Sequence, residues 1–204
     1  YDNDNIIDGC DDCIGIDTID DDCVLYGDVN QDGNITFDDA MILLSYLLGS
    51  SEELLAMDYN QDNLVTLLDF TLLVYDNLSI DISQSQSNTS SVQIGTYYNS
   101  INLFSEDEEY IGGVMLSLTN ISDDFDFSIS ESDISNDISI YANYGDNITI
   151  LFMDDPEDSV SFNTELVTIS LGTYQLNEDE SQIVDGDSHV DFSIVFHPGD
   201  VNMD

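Results

Sequence analysis

Two twelve-residue segments with the same spacing of oxygen-bearing side chains are the most constraining feature of this sequence. They read DVNQDGNITFDD from Asp28 to Asp39 and DYNQDNLVTLLD from Asp58 to Asp69. A calcium ion takes roughly six to eight oxygen ligands, and a twelve-residue loop supplies them from positions 1, 3, 5, 7 and 12. The spacing therefore predicts two calcium loops, with a backbone carbonyl as the ligand at position 7. The expected ligands are Asp28, Asn30, Asp32, Asn34 and Asp39, followed by Asp58, Asn60, Asp62, Leu64 and Asp69.

The residues around these ligands also follow the loop pattern. Position 6 is Gly33 in the first loop and Asn63 in the second, and both residue types enter the left-handed region that a sharp turn requires. Position 8 is Ile35 or Val65, which we expect to point inward between paired loops. Each loop runs into an apolar stretch that predicts a helix, and Gly49 is expected to end the first helix.

The order of loop and helix resembles the dockerin family. From about Leu25 to Leu78, each loop is followed but not preceded by a predicted helix, and the first unit opens as GDVNQDG. The resemblance implies two calcium ions, a small fold that orders on binding metal, and docking to a β-sandwich partner called cohesin. Dockerins commonly carry basic residues on their recognition helices, and this chain has none. Positions 10 and 11, a usual recognition pair, are here Phe37-Asp38 and Leu67-Leu68.

The first 23 residues form a separate acidic segment that contains all three cysteines. The stretch DNDNIIDGCDDC resembles a thrombospondin type-3 repeat, which wraps calcium with little core, and a solvated acidic tail is the alternative reading. A disulfide between Cys23 and either Cys10 or Cys13 is favoured over a zinc site, because only three Cys exist and both His residues lie far away. The metal ligands that the resemblance implies are Asp2, Asp4, Asp8 and Asp11.

The loop phrase returns at the end of the sequence as GDVNMD. Asp200, Asn202 and Asp204 reproduce positions 1, 3 and 5 of the calcium loop, without positions 7 and 12. Either a longer parent chain continues into another such unit, or another molecule completes the half loop. The sequence also starts at Tyr1 without Met, which favours a processed chain or a fragment of a longer one.

The larger half of the chain has the pattern of short β-strands. After a Ser-rich linker, eight runs of β-type residues are separated by Asp, Asn and Gly, which predicts an antiparallel sandwich. Apolar and polar residues alternate in these runs, for example at Val167, Ile169 and Leu171. The runs EEYIGGVMLSLT and DNITILFMD, with TELVTISL after them, resemble the strands of a cohesin domain from about Val92 to Phe196.

The predicted fold is mainly β, an antiparallel cohesin-like β-sandwich with a small α-helical dockerin-like calcium-binding domain. The expected segments are 1–23 (acidic, thrombospondin type-3-like), 24–78 (dockerin-like), 79–91 (linker), 92–197 (cohesin-like sandwich) and 198–204 (half calcium loop or tail).

The charge of the chain is entirely acidic. Its 204 residues include 44 Asp and Glu but no Lys or Arg, which gives a formal net charge of −44. Nucleic acid and anionic lipid surfaces bind cationic side chains, so neither is expected as a partner. Divalent cations are the natural agents to neutralise such a charge. The longest apolar stretch, Met41 to Leu48, is too short to span a bilayer, so we expect no membrane insertion.

No catalytic constellation is recognisable in the sequence. His189 and His197 are the only two histidines, and no Ser or Cys stands in the context of an activated nucleophile. Paired carboxylates carry no information about glycoside chemistry in so acidic a chain. We therefore expect a protein that is not an enzyme.

Together these features predict an extracellular, calcium-stabilised structural protein that assembles with copies of itself. Head-to-tail contacts between a docking and a receiving module give a filament unless they close a ring. The alternative is a scaffold or anchoring module of a polysaccharide-degrading or cell-surface complex, with a different cohesin- or dockerin-type protein as its partner. Five sequons are compatible with an extracellular, glycosylated surface, at Asn34, Asn77, Asn88, Asn120 and Asn147.

Overall fold

The chain divides into two units, Tyr1–Ile80 and Asp81–Asp204, in this computed structural model. The residues that the structure describes are 24–50, 52–78, 92–97, 99–104, 109–130, 138–144, 147–153, 159–160, 163–185 and 188–196. Several predictions fall outside these residues: the acidic segment with Asp2, Asp4, Asp8, Asp11 and its cysteines, the linker, Asn88, His197, and the half loop with Asp200, Asn202 and Asp204.

In the described part of the first unit, two α-helices each follow a predicted calcium loop. Helix α1 spans Phe37–Leu47 and helix α2 spans Leu67–Leu78, with a single-turn 3-10 helix at Leu55–Met57 between them. Gly49 ends the first helix as predicted: its φ is +82°, and its N–H donates to the Tyr46 carbonyl at 2.8 Å. Within the described residues, the first loop has no helix before it, and the second follows only the 3-10 turn.

The internal repeat extends from the loops into the buried faces of the helices. Helix α1 contacts α2, and apolar residues at equivalent positions of both helices are buried. Their spacing of three and one residues follows the helical period and places them on one face. These residues are Ala40, Leu43 and Leu44 on α1, and Phe70, Leu73 and Val74 on α2.

The described residues of the second unit form twelve strands. The longer ones include the eight predicted runs, and four strands of two or three residues, β3, β8, β10 and β11, are additional. The bounds are β1 Val92–Tyr97, β2 Ser100–Phe104, β3 Glu109–Tyr110, β4 Gly113–Thr119, β5 Asp126–Ile129, β6 Ile138–Tyr144, β7 Asn147–Met153, β8 Ser159–Val160, β9 Asn163–Leu171, β10 Gln175–Leu176, β11 Gln182–Val184 and β12 Phe192–Phe196.

These strands form two five-stranded sheets and one small ribbon. The first sheet has the order β12-β1-β2-β9-β5; the second has the order β10-β4-β7-β6, with β11 also paired to β4; and β3 pairs with β8. All pairs are antiparallel, as predicted, except that β1 and β12 run parallel. This exception corrects the prediction of a wholly antiparallel sandwich. Along the chain, β1 is the first and β12 the last strand of the unit. No short hairpin turn connects them, so nothing forces the pair to be antiparallel.

The core of the second unit lies between its two main sheets. One cluster of buried apolar side chains joins residues of β1, β2 and β9 to residues of β4 and β7, which makes the unit a β-sandwich. Central members such as Leu116 and Phe152 are completely buried, and burying a side chain of this size contributes about 1.5–3 kcal/mol. The predicted class, mainly β with a sandwich and a small helical domain, is confirmed. No helix among the described residues is long and apolar enough to cross a membrane.

Candidate calcium loops

The carboxylate of Asp28 accepts backbone hydrogen bonds from the middle of the first loop. One oxygen of this carboxylate accepts the N–H of Asp32 at 3.0 Å, and the other accepts the N–H of Gly33 at 2.8 Å. The side-chain oxygen of Asn30 also accepts the Asp32 N–H, at 2.8 Å. Side chains at positions 1 and 3 therefore fix the turn at positions 5 and 6, as the predicted loop geometry requires.

The carboxylate of Asp39 closes the same loop from its far end. Its Oδ1 accepts the N–H of Asn30 at 2.9 Å, and its Oδ2 accepts the N–H of Thr36 at 2.8 Å and the Thr36 hydroxyl at 3.1 Å. Because Thr36 is the N-cap of α1, one carboxylate both caps the helix and ties position 12 to position 3.

The second loop repeats this network bond for bond. Asp58 accepts the N–H groups of Asp62 and Asn63, each at 3.0 Å. Asp69 accepts the N–H of Asn60 at 3.1 Å and that of Thr66 at 2.8 Å. The predicted equivalence of the two segments thus extends from their side chains to their backbone hydrogen bonds.

The backbone of both loops turns through the left-handed region at two positions. At position 6, φ is +86° for Gly33 and +72° for Asn63, which agrees with the expectation that Asn can replace Gly there. At position 4, φ is +59° for Gln31 and +60° for Gln61. Sequence reasoning did not identify this second turn, because Gln has no particular preference for that region; the only available signal was that Gln occupies position 4 in both loops.

Four of the predicted ligands carry buried negative charge. Asp39 and Asp69 are fully buried, Asp28 and Asp58 nearly so, and the chain has no Lys or Arg to pair with them. Burial raises the pKa of Asp69, and the nearby Asp58 raises it further, while hydrogen bonds from Thr66 and Asn60 act in the opposite direction. A buried carboxylate without a cation is costly, so each loop favours a ligand that brings positive charge.

The donor set fits a hard divalent cation in kind. The other side-chain ligands, Asn30, Asp32, Asn60 and Asp62, lie at or near the surface, and the side chain of Leu64 is exposed. Among the described residues, no three His, Cys, Asp or Glu side chains come together as a metal-binding group. In the two loops the carboxylates accept hydrogen bonds from backbone N–H groups. The fit of the loops to a calcium ion rests on their oxygen ligands and on the uncompensated buried charge.

A glycine just before the first loop joins the two halves of the unit. The N–H of Gly27 donates to the Ala56 carbonyl at 2.7 Å, its φ is +93°, and a Cβ at this position would lie 2.7 Å from the Tyr59 ring. Only Gly fits here. This close approach explains why Gly opens the GDVN sequence. The sequence alone showed only that this Gly is part of a repeated motif. Ile35 and Val65, at position 8, are both half-buried.

The two recognition pairs that the sequence singled out have very different surroundings. Phe37 is 45% exposed and Asp38 is exposed, whereas Leu67 is 0% and Leu68 5% exposed. The first pair is open to a partner in this structure and the second pair is not.

The described sequons also differ in their environment. Asn120 and Asn147 are exposed, and Asn34 is exposed but bonds Asp32 within the first loop. The amide of Asn77 donates to the Leu73 carbonyl of its own helix at 2.8 Å, so glycosylation there would break an existing bond. His189 is exposed.

Comparison with known proteins identifies the first unit. Residues 26–75 match the family model of the dockerin type I domain. This unit is a dockerin module. The match covers both loops and most of both helices, and it confirms the resemblance found in the sequence. A dockerin is an interaction module of cohesin–dockerin-type complexes and has no catalytic role of its own. A search of curated proteins finds no match.

Solved structures that are similar to the chain include cohesins. A non-cellulosomal cohesin from Archaeoglobus fulgidus is 14% identical, with a TM-score of 0.38 over 53% of this chain and 88% of that one. A chain of a type I cohesin–dockerin complex from Clostridium thermocellum is 14% identical, with a TM-score of 0.32 over 54% and 94%. A type II cohesin from a scaffoldin of Acetivibrio cellulolyticus is 8% identical, with a TM-score of 0.35 over 54% and 95%.

Proposed function

We propose that the chain is a calcium-stabilised, non-enzymatic assembly protein that acts outside the cell or at its surface. In this proposal, the dockerin module binds two calcium ions and docks to a cohesin-type β-sandwich, which a second copy of the chain supplies. Repeated head-to-tail docking would build a filament, because the docking and receiving surfaces are different and need not close a ring.

The observation that carries the calcium part of the proposal is the buried charge of the duplicated loops. Asp28, Asp39, Asp58 and Asp69 are buried at equivalent positions, and the chain has no Lys or Arg to compensate them. Calcium would supply that charge and complete its shell with Asn side chains and backbone carbonyls. Binding a metal that the unfolded chain does not bind adds its free energy to that of folding.

Docking is supported by an exposed apolar pair on α1. Phe37 and Met41 lie one helical turn apart, so they share a face, and they are 45% and 42% exposed. Their equivalents on α2, Leu67 and Thr71, are both completely buried. The pair on α1 includes position 10 of the first loop, so we assign the docking surface to this helix.

The assembly is tested with the full chain in calcium and in chelator. We expect sedimentation velocity and electron microscopy to show large linear particles in calcium and small species after chelation. Phe37→Asp should abolish the particles, since it places a charge in the docking surface. Leu171→Asp is the matched control, because Leu171 is 59% exposed on the other unit, and it should leave the particles unchanged.

Two outcomes would count against self-assembly. Single chains in calcium at every concentration would reject it, and capture of a separate cohesin domain through Phe37 would then favour the scaffold or anchoring role with a different partner. Particles that survive both chelation and Phe37→Asp would show that the dockerin module does not hold them together.

A further inference from the structure

The free edges of the two main sheets are not equally protected. Edge strands expose unpaired backbone groups, and proteins usually guard them with charged residues, Pro, bulges or short length. The first sheet ends in β12 and β5, and the second ends in β6, with the short β10 and β11 at its other side. A chain without Lys lacks the commonest of these guards.

Most of these edges carry at least one guard. Strand β5 has four residues, begins with Asp126 and contains a register shift at Asp126/Phe127. Strands β10 and β11 have only two and three residues. Strand β12 has only five residues.

Strand β6 carries none of them. It is seven residues long and reads ISIYANY, without an acidic residue, Pro or Gly. Its register with β7 is regular from the pair Ile138–Met153 to the pair Tyr144–Asn147. Among the described residues, β7 is the only strand that pairs with it. One edge of β6 therefore presents N–H and C=O groups to a further strand.

The charge of the chain indicates which strand fits that edge. About one residue in five is acidic across the chain, from 44 in 204, and like charges opposite one another destabilise a strand pair. Within its seven residues a second β6 brings no charge to the contact, whereas acidic strands such as β5 would bring carboxylates. Asp137 and Asp146, which flank β6 in the sequence, add to the repulsion that salt would screen. Antiparallel pairing around a two-fold axis at Tyr141 would place Ile140 opposite Ala142 and Ser139 opposite Asn143 of the other copy.

We propose that β6 is a self-pairing edge that joins two copies of this chain through one continuous sheet. The contact is isologous, so it closes as a dimer by itself. It uses backbone hydrogen bonds and needs neither calcium nor the dockerin module. Added to head-to-tail docking, it would link two filaments side by side, but it does not depend on that docking.

The test measures dimerisation of the full chain in chelator by sedimentation velocity. Each copy carries a formal charge of −44, and raising the salt from about 0.15 M to about 1 M shortens the Debye length from about 8 to about 3 Å. We expect a dimer whose Kd falls as salt rises. Ala142→Asp adds one charge at a position in register with Thr149, on the face of β6 that does not share the register of the core residues Ile148, Ile150 and Phe152, and it should raise the Kd about tenfold at the lower salt concentration. Asn120→Asp, at an exposed Asn outside β6, should not change it.

A second pair of variants keeps the test independent of one substitution. Tyr144→Asp in β6, at a position in register with the exposed Asn147, should weaken the dimer, whereas Ser128→Asp in the guarded edge β5 should not. Phe37→Asp should have no effect, which separates this contact from the docking surface. A chain that stays monomeric in chelator at high salt would overturn the proposal, and so would a dimer that is equally insensitive to Ala142→Asp and Tyr144→Asp.

Discussion

Replacing Asp28 with Asn separates a structural role of this carboxylate from a role as calcium ligand. The side chain is 6% exposed, and each of its two oxygens accepts a backbone N–H, from Asp32 and from Gly33. Asn offers one acceptor oxygen in place of two. One of the two backbone donors therefore loses the Asp28 oxygen in Asp28→Asn, whether or not calcium is present, although the Asp32 N–H keeps its bond to the Asn30 side chain.

The expected losses differ with and without calcium. A hydrogen bond to a charged group contributes about 1.5–3 kcal/mol, which is the expected loss of unfolding free energy in chelator. Removing a buried charge offsets part of this loss. With calcium at about 100 times its Kd, each bound ion adds about 2.7 kcal/mol. Losing the first site as well brings the total in calcium to about 4–6 kcal/mol, so the difference between the two conditions is about 2.7 kcal/mol.

Urea unfolding followed by the helical circular dichroism signal measures both losses. Asp38→Asn is the matched control, because Asp38 is exposed on α1, has no place in the ligand set, and undergoes the same change of charge. It should change stability by less than about 0.5 kcal/mol in both conditions. Where the chelated module is already unfolded, the calcium concentration at the midpoint of folding replaces the free energy, and Asp28→Asn should raise it. Equal losses with and without calcium would refute the reasoning and reduce Asp28 to a backbone acceptor.

Four further outcomes are expected. Chelation should lower the unfolding temperature of the dockerin module but not that of the sandwich, measured by calorimetry. Gly172→Ala should cost the sandwich about 1–3 kcal/mol in urea unfolding, since φ is +88° and a Cβ would lie 2.6 Å from the Phe125 Cα. Gln61→Gly should stabilise the calcium-loaded module by about 0.5–1 kcal/mol, because it relieves a left-handed Gln. Burial, together with the hydrogen bond to Asp76, raises the pKa of Tyr59 to about 12 from 10.0. Because the folded state holds the phenol proton more tightly, the stabilisation from Tyr59 should be complete below pH 10 and be lost as pH rises towards 12. Tyr59→Phe should remove this pH-dependent loss of stability in thermal melts across the same range.

The loops could be predicted from the sequence because their geometry is local. The oxygen-bearing side chains at positions 1, 3 and 12 bond backbone groups at most nine residues away, as Asp39 does with Asn30, so their spacing alone encodes the fold of the loop. The left-handed Gln31 and Gln61 could not be predicted, since the hydrogen bonds of the loop impose that conformation on a residue that does not prefer it.

The sandwich was predictable in outline and less so in its tertiary details. Eight runs were found because alternation needs at least four residues to be visible, and strands of two or three residues have no period to read. Leu171 was expected to share the buried face of Val167 and Ile169, but it is 59% exposed. A register shift between the pairs Asp126–Leu171 and Phe127–Ile169 breaks the alternation at that end of β9, and a bulge has no clear mark in the sequence.

The helices are a second case in which the sequence did not determine which residues are buried. The loops that precede them have the same ligand spacing, yet Leu67 and Thr71 of α2 are buried and their equivalents Phe37 and Met41 of α1 are exposed. Apolar residues occur at three of these four positions, so composition could not tell a docking surface from a packed one. Burial is decided by what the rest of the molecule places over a helix, and only the structure provides that information.

The acidity of the chain gives its two proposed contacts opposite responses to ions. Docking through Phe37 depends on a module whose buried carboxylates need a divalent cation. Chelation should therefore abolish docking at any ionic strength. Pairing through β6 is opposed only by the long-range repulsion between two copies. Any salt that screens the charge should therefore strengthen the pairing. A titration with NaCl in chelator, followed by calcium, should therefore produce lateral dimers first and linear particles second. The reverse order would mean that the charge of the chain is neutralised elsewhere than in the two loops.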